Sequence, residues 1–549
     1  MLRSIGIALL ASLLASTAYA VPGPDSVVVL ANASVPGSVA LATRYAHLRD
    51  VPSVQVCSLP MPTTDTITLA EFQTQILAPL RACLGTHEAR IEAIVVMRGV
   101  PLRVLIPVDG GHHVSITAAL GTWRSTLVDG TTPLLGTACG VTADCGGSPC
   151  YAARVHAPYS AATGLPFHAG FELTAIGIQH RPVLATMLHG RSDHDAGLLL
   201  DAAMAAEASS TPAGEFLLMQ GADSARGVLD PSFPSIVSAL TSRGVTASSV
   251  PFDSALTGHT LAGFAVGTAS LGTTIEGNTY VRGALVDNVT SFGAVPTNFA
   301  ATGESQVSIA RWVAAGVGGV HGTVDEPLNN VFPSRGFLVS YVDGATLAES
   351  FLGAMPFSYW LNLALGDPML APYAQRPRVT IAGAHEGDAL TAAPMLSITA
   401  SAPTGRAIAH LSLLVDGEEV AAVDGDTIHH CLAIAPRADA QILAVATTAP
   451  GDAGTLSPWP AKGWLAIHVS ETATDLACDP PPVDAGVRDA GAVIDGARAD
   501  ASTTPAPAAS CGCRIGAPND APSPVLVLFA IALSARRASR RARGSRTRR

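Results

Sequence analysis

Lysine is almost missing from this chain: of its 32 basic residues only Lys462 is one. With the alanine-rich composition, this scarcity looks like the codon bias of a high-GC genome and carries no mechanism. Basic charge is also short where nucleic acid would need it. Residues 21 to 510 keep 22 of the 32 basic side chains and 42 of the 43 acidic ones, a net charge of about −20. That sign excludes the basic face on which nucleic-acid binding depends. No phosphate loop follows the first candidate strand, because Ala31-Asn32-Ala33-Ser34-Val35-Pro36-Gly37 lacks both the glycine spacing and the lysine. Nucleotide and flavin sites are left without a motif. The apolar run near the C-terminus, Val525 to Leu533, is only nine residues long, against the ~20 that cross a bilayer as a helix.

What is present reads first as an address. Arg3 precedes the apolar run Ile5 to Leu14, and Ala18-Tyr19-Ala20 supplies small residues beside a cleavage point, so residues 1–20 are expected to be a secretory signal peptide. At the other end come Cys511-Gly512-Cys513, the short apolar run behind Pro524, and an arginine-dense tail from Arg536 to Arg549. This order resembles the MYXO-CTERM sorting signals of myxobacterial surface proteins. The resemblance implies a sorting protease that cuts near Cys511 while the arginines hold the tail in the cytoplasm, and hence a surface location with membrane anchoring through residues 511–549. The alternative is a weak transmembrane helix stopped by positive charge.

Seven cysteines lie outside the tail, and in an exported protein they are expected to be oxidised. Cys57 and Cys83 fall at the end of a predicted strand and of the helix after it, and Cys431 and Cys478 share the C-terminal domain; these are the expected pairs. Cys139, Cys145 and Cys150 leave one thiol over, with their connectivity open. A zinc site built from these cysteines with His112 and His113 is disfavoured, since no CxxC pair occurs among them.

From Val21 to about Arg376, short β-branched runs alternate with amphipathic segments, the pattern of a mostly parallel sheet flanked by helices. Strands are predicted at Ser26–Leu30, 54–59, 91–97, 183–188, 215–219, 261–266, 284–289 and 318–324, and a helix over 39–48 with Leu41, Tyr45 and Leu48 on one face. Thr68-Leu69-Ala70-Glu71 is a capping box opening a second helix, whose end Pro79 should kink. Residues 103–170 read as an insertion. After Pro377 the texture turns to alternating strands with recurrent turn signals, so 377–478 is expected to be an immunoglobulin-like β-sandwich. Residues 479–510, rich in Pro, Ala and Asp, cannot bury a core and read as a disordered linker.

Four blocks carry a second resemblance: Val28 to Asn32, Ile94 to Arg103, Trp312 through Val324-Asp325-Glu326-Pro327, and Leu347-Ala348-Glu349 through Leu365-Gly366-Asp367-Pro368. Over residues 25 to 375 they resemble an exosortase-associated exported bacterial family that brings no assigned activity. The strand order and the closing Leu-Gly-Asp-Pro also resemble the gingipain and caspase-type peptidase fold. Those enzymes carry His-Gly at one strand end and Cys at the next. Here the corresponding strands end in Gly267-Thr268 and Thr290-Ser291-Phe292-Gly293, with neither. His189-Gly190 reads as a substitution at a loop position, and Asp367-Pro368 as a structural turn.

The polar constellation that remains is His321, Asp325 and Glu326 at a strand end, where open α/β sheets place their ligands. These carboxylates beside a histidine suit acid and base work or a divalent cation such as calcium. Ser291 is a candidate nucleophile, with His259 or His321 as its base. Arg98 and Arg103 flank another strand tip and could bind an acidic group. The reading is therefore an exported, surface-anchored envelope protein with a binding or assembly role. The alternative is a gingipain-like hydrolase with a non-standard active site.

Overall fold

The strand Val27–Asn32 (β1) is apolar on both sides and fully buried, which marks it as the interior of a sheet covered on two faces rather than a strand with one wet side. Nine more strands join it, the inner ones largely buried and the two edge strands β2 and β6 partly exposed: Val56–Leu59 (β2), Ala93–Met97 (β3), Leu184–Leu188 (β4), Glu215–Met219 (β5), Ala247–Val250 (β6), Thr260–Val266 (β7), Thr279–Asn288 (β8), Gly319–Thr323 (β9) and Asn362–Gly366 (β10). Together they make a mostly parallel ten-stranded sheet, ordered β6-β5-β7-β8-β9-β10-β4-β3-β1-β2. In the computed structural model, the described residues are 21–106, 112–123, 183–208, 212–300, 304–329, 331–434, 437–451, 459–471 and Cys478, with the backbones of three short strands between 153 and 180. The expected signal peptide, most of the insertion, the linker and the sorting tail with Cys511 and Cys513 lie outside them, as do Cys139, Cys145 and Cys150.

Two strands of this sheet carried no clear sequence signal. Edge strand β6, Ala-Ser-Ser-Val, is only half-buried, and β10 runs antiparallel to β9 in the middle of the sheet. Helix α1 (Pro36–Leu48) starts three residues earlier than its apolar face suggests, because Pro36 suits the first helical position. The Thr68–Glu71 capping box forms, and the helix it opens widens into a π-turn over Phe72–Leu77 before Ala78–Leu84 resumes. Pro79 lacks the N–H that an unbroken helix would use, so the expected disturbance lies before the proline rather than at the helix end. Cys57 and Cys83 are joined by a disulfide, as are Cys431 and Cys478.

At the start of the expected insertion, Arg103–Ile106 and His112–Ser115 pair with Thr66–Thr68 in a small three-stranded sheet. Helix α2 (Asp193–Ala208) follows β4, and helix α3 (Leu347–Ala354) precedes β10.

Beyond Pro377 two further sheets share one apolar core. Three strands, Arg378–Ala382 (β11), Met395–Ser401 (β13) and Thr427–Cys431 (β16), face five, Ala389–Leu390 (β12), Ile408–Val415 (β14), Glu418–Val423 (β15), Arg437–Thr448 (β17) and Lys462–Glu471 (β18). Leu396, Ile398 and Ile428 from the first meet Leu411, Leu413, Ile442 and Ala444 from the second. Here burial alternates along the strands, as in β13, the signature of one wet face.

The two-sheet lobe is not strung loosely behind the α/β body. Trp464 donates from Nε1 to Asp50 Oδ2 (3.1 Å), and Gln441 donates to Asp50 O (3.0 Å). Lys462 is buried, with Nζ 2.9 Å from Asp25 Oδ2 and 3.6 Å from Glu92 Oε2. Gly417 has φ +85°, and a Cβ there would lie 2.5 Å from Val54 Cγ2, so glycine lets the lobe's turn sit against the body.

Candidate functional site

The C-terminal ends of β1, β3, β4, β8 and β9 meet along one edge of the sheet. Asn32, closing β1, donates from Nδ2 to Gly99 O beyond β3 (2.7 Å) and to Pro62 O (3.0 Å). Arg98 pairs with Asp193 beyond β4 and reaches Arg191 O at 3.4 Å. Arg103 donates to Val324 O beyond β9 (2.8 Å), and Thr323 Oγ1 to Ser291 O beyond β8 (2.6 Å). Gly99, at φ +98°, packs where a Cβ would lie 3.0 Å from Val35 Cγ1. The first three blocks of the family resemblance supply most of these contacts.

His321, Asp325 and Glu326 do not form one cluster. The His321 ring is sealed within the molecule, its Nδ1 2.7 Å from Asp287 Oδ1 and its Nε2 2.9 Å from Asn362 Oδ1. Arg335 pairs with the other oxygen of Asp287 and donates to Val266 O (3.1 Å). Burial opposes the charge on Asp287, but Arg335 and the hydrogen bond from His321 outweigh it and hold the carboxyl below its ordinary range. Both imidazole nitrogens are occupied inside the fold and the ring is buried, so His321 does not face a substrate and is corrected from catalytic base to core polar residue.

Asp325 turns instead to His113, with Asp325 Oδ2 against Nδ1. That hydrogen bond keeps the Asp325 carboxyl below its usual range, against partial burial and with help from the Glu326 N–H. Glu326 accepts from Ser291 Oγ (2.8 Å), and Ser291 N–H donates to Gln306 Oε1 (3.1 Å). The Ser291 hydroxyl is therefore partnered by a carboxylate and not by an imidazole. No described imidazole bonds Ser291: His259 lies before β7 and bonds Glu215 at 2.6 Å, at the opposite edge. Asp325 and Glu326 thus serve different partners and do not converge as calcium ligands. Among the described residues no group of three or more His, Cys, Asp and Glu side chains is placed to hold a metal.

Arg103 is committed to the protein, its Nε donating to Thr66 Oγ1 (2.9 Å) and its NH1 to Val324 O. Burial lowers its pKa, while Asp325 and Asp65 act the other way. Arg98 is only partly committed: Asp193, its partner, is more than half exposed, and Arg98 Nε has no hydrogen-bond partner.

Sequence reasoning missed three polar residues here. His113 was visible only as one of a His-His pair, and nothing in the spacing linked it to Asp325, 212 residues away. No described residue bonds its Nε2. Asp287 lies inside the predicted strand 284–289 and carries no sequence signal of its own. His189, taken as a loop substitution, is buried at the tip of β4 with its ring edge-on to Phe299 at 4.4 Å. No described residue bonds its Nδ1. Burial and the neighbouring Arg98 charge push its pKa down to about 3.

At the other edge, Asp367 of the Leu-Gly-Asp-Pro block is fully buried where α1 ends. It accepts from Tyr45 OH (2.8 Å) and Arg49 Nε (2.6 Å). Arg49 also pairs with Glu207, which takes Arg376 at 2.8 Å. The expected structural turn is the centre of a buried ionic network.

No protein-family model and no curated protein matches the chain. Among solved structures, the fibronectin(III)-like modules of Clostridium thermocellum CbhA are similar over 21% of this chain and 53% of theirs, at 15% identity and a TM-score of 0.14. The chain therefore matches about half the length of that structure, and a likeness at that score carries no argument.

Proposed function

We propose that this is an exported protein, sorted and anchored at the cell surface through its C-terminal segment by a processing protease. It has a caspase/gingipain-like α/β body with an immunoglobulin-like sandwich packed on it, and acts by binding or in assembly of the envelope. The observation that carries the non-catalytic reading is the sealed His321: the histidine best placed by sequence to activate Ser291 spends both nitrogens inside the fold. The two disulfides suit an oxidising compartment.

One observation favours a hydrolase instead. His113, with Nδ1 on Asp325 and Nε2 unbonded by any described residue, has the form of an oriented general base. Both readings meet in one experiment, in which the full chain is tested for activity-based labelling and for cleavage of a peptide library, beside His113→Asn and Ser291→Ala. Folded protein without labelling or turnover supports the binding reading. Turnover abolished by either substitution replaces it with the hydrolase.

A further inference from the structure

Three nitrogens at the tips of β3 and β4 are shut from solvent without a hydrogen-bond partner among the described residues: Arg98 Nε, Arg191 Nε and His189 Nδ1. A buried donor left unpaired is costly; unpaired arginine Nε atoms recur elsewhere in the fold, but here two of them and an imidazole nitrogen lie together. They are neighbours. Arg98 reaches the carbonyl of Arg191, and its charge bears on the His189 ring. The guanidinium nitrogens can only donate, and Nδ1 donates in one imidazole tautomer.

The place is the one where a ligand is expected. From β1 the chain moves outward to β2, then crosses back to β3 and on to β4, so the order reverses between β1 and β3, and Arg98 directly follows β3 at the carboxyl-end edge where open α/β sheets bind ligands. The existing partners of the two arginines are weakly held. Asp193 is mostly in water, where an ion pair contributes little. Glu304 lies 3.5 Å from Arg191 but 2.9 Å from Arg311, which holds it more firmly.

We propose that Arg98, Arg191 and His189 form an oxyanion site, taking a carboxylate or phosphate group of the ligand that the protein binds at this edge. Arg98 exchanges Asp193 for the ligand, Arg191 releases Glu304 to Arg311, and the ring held by Phe299 donates the third hydrogen bond. Charge-assisted bonds from two planar guanidinium groups give such a site its preference for planar or tetrahedral oxyanions over halide. This deepens the binding reading and rests on it.

Titration calorimetry of the full chain with galacturonate and with inorganic phosphate, against chloride, separates the two sources of the oxyanion. Saturable binding of either is expected. Arg98→Gln and Arg191→Gln should each weaken it by about tenfold or more. Asp193→Asn should tighten it, because the competing carboxylate is gone, and a destabilised fold could not produce that gain. Circular dichroism of each variant shows whether it is folded. The proposal is overturned if neither probe binds the wild type or Asp193→Asn, or if binding survives both arginine substitutions. Peptide turnover lost in His113→Asn would remove the binding reading without touching this site, and absent anion binding would remove the site without touching that reading.

Discussion

The two edges of the large sheet treat charge in opposite ways. At the edge where α1 ends, Arg49, Glu207, Asp367 and Arg376 are joined in one network. Burial is outweighed there by Arg376 and Arg49, which hold Glu207 down at about 2. At the opposite edge, Arg98–Asp193 and His113–Asp325 lie partly in water, and three nitrogens there find no partner among the described residues. A network closed on itself has nothing left to offer a ligand; an edge of loose pairs does. Under the function proposed above, one end of the strands serves stability and the other binding.

The comparison breaks most sharply at Arg49. Arg49→Met leaves Asp367 buried without its cation and Glu207 with Arg376 alone, and should cost about 3–5 kcal/mol, read as a lower urea midpoint at unchanged slope. If the cost were below about 1 kcal/mol, the sealed network would be no different from a surface pair. Reducing the Cys57–Cys83 disulfide, which spans 26 residues, should cost about 3–4 kcal/mol through the freedom regained by the unfolded chain. A Cys57→Ser/Cys83→Ser variant melted beside wild type measures it.

Glu349 sharpens the same contrast through pH. It is buried at the N-terminus of α3 in a capping box with Thr346, and burial raises its pKa from 4.5 to about 7, against the Thr346 hydrogen bonds and the Arg376 and Lys462 charges. The folded state therefore binds this proton more tightly than the unfolded chain does. Its contribution is whole below pH 4.5 and is lost as the pH rises through 7, a change of roughly 3 kcal/mol. Glu349→Gln keeps a capping-box side chain and removes the titration. Urea melts from pH 4 to 8 should show a flatter profile and a relative gain at pH 8; a slope equal to wild type would refute it.

What the sequence could show follows from range. β-branched runs with apolar residues on both faces located eight of the ten strands of the large sheet, because burial on two faces is a local signal. Strand β10, Asn-Leu-Ala-Leu-Gly, holds no β-branched residue to mark it, and its antiparallel place beside β9, with Ala364 opposite His321, is set by tertiary pairing. The disulfides were legible since each pair lies within one local unit. The site was not. A histidine reads the same whether its partner is water or an aspartate from another strand, so His321 looked available and His113 did not. Arg98 stood out only by lying at a strand tip, which topology and not composition makes meaningful.

The smallest effects belong to the loose edge. His113 and Asp325 are both partly in water, so solvent screens most of their attraction, and His113→Asn should cost less than about 1 kcal/mol at neutral pH. Asp325 is held below its ordinary range first by that hydrogen bond. Its contribution is present above its unfolded value of 3.8 and is lost as the pH falls through the lower folded one. His113→Asn should therefore bring wild type and variant together in acid and part them slightly near neutrality, in urea melts at pH 3 and pH 7. A loss as large as that at Arg49 would make this pair a structural clamp and erase the distinction between the two edges. A loss within 1 kcal/mol leaves His113 as a side chain the fold can do without, placed where a ligand would meet it.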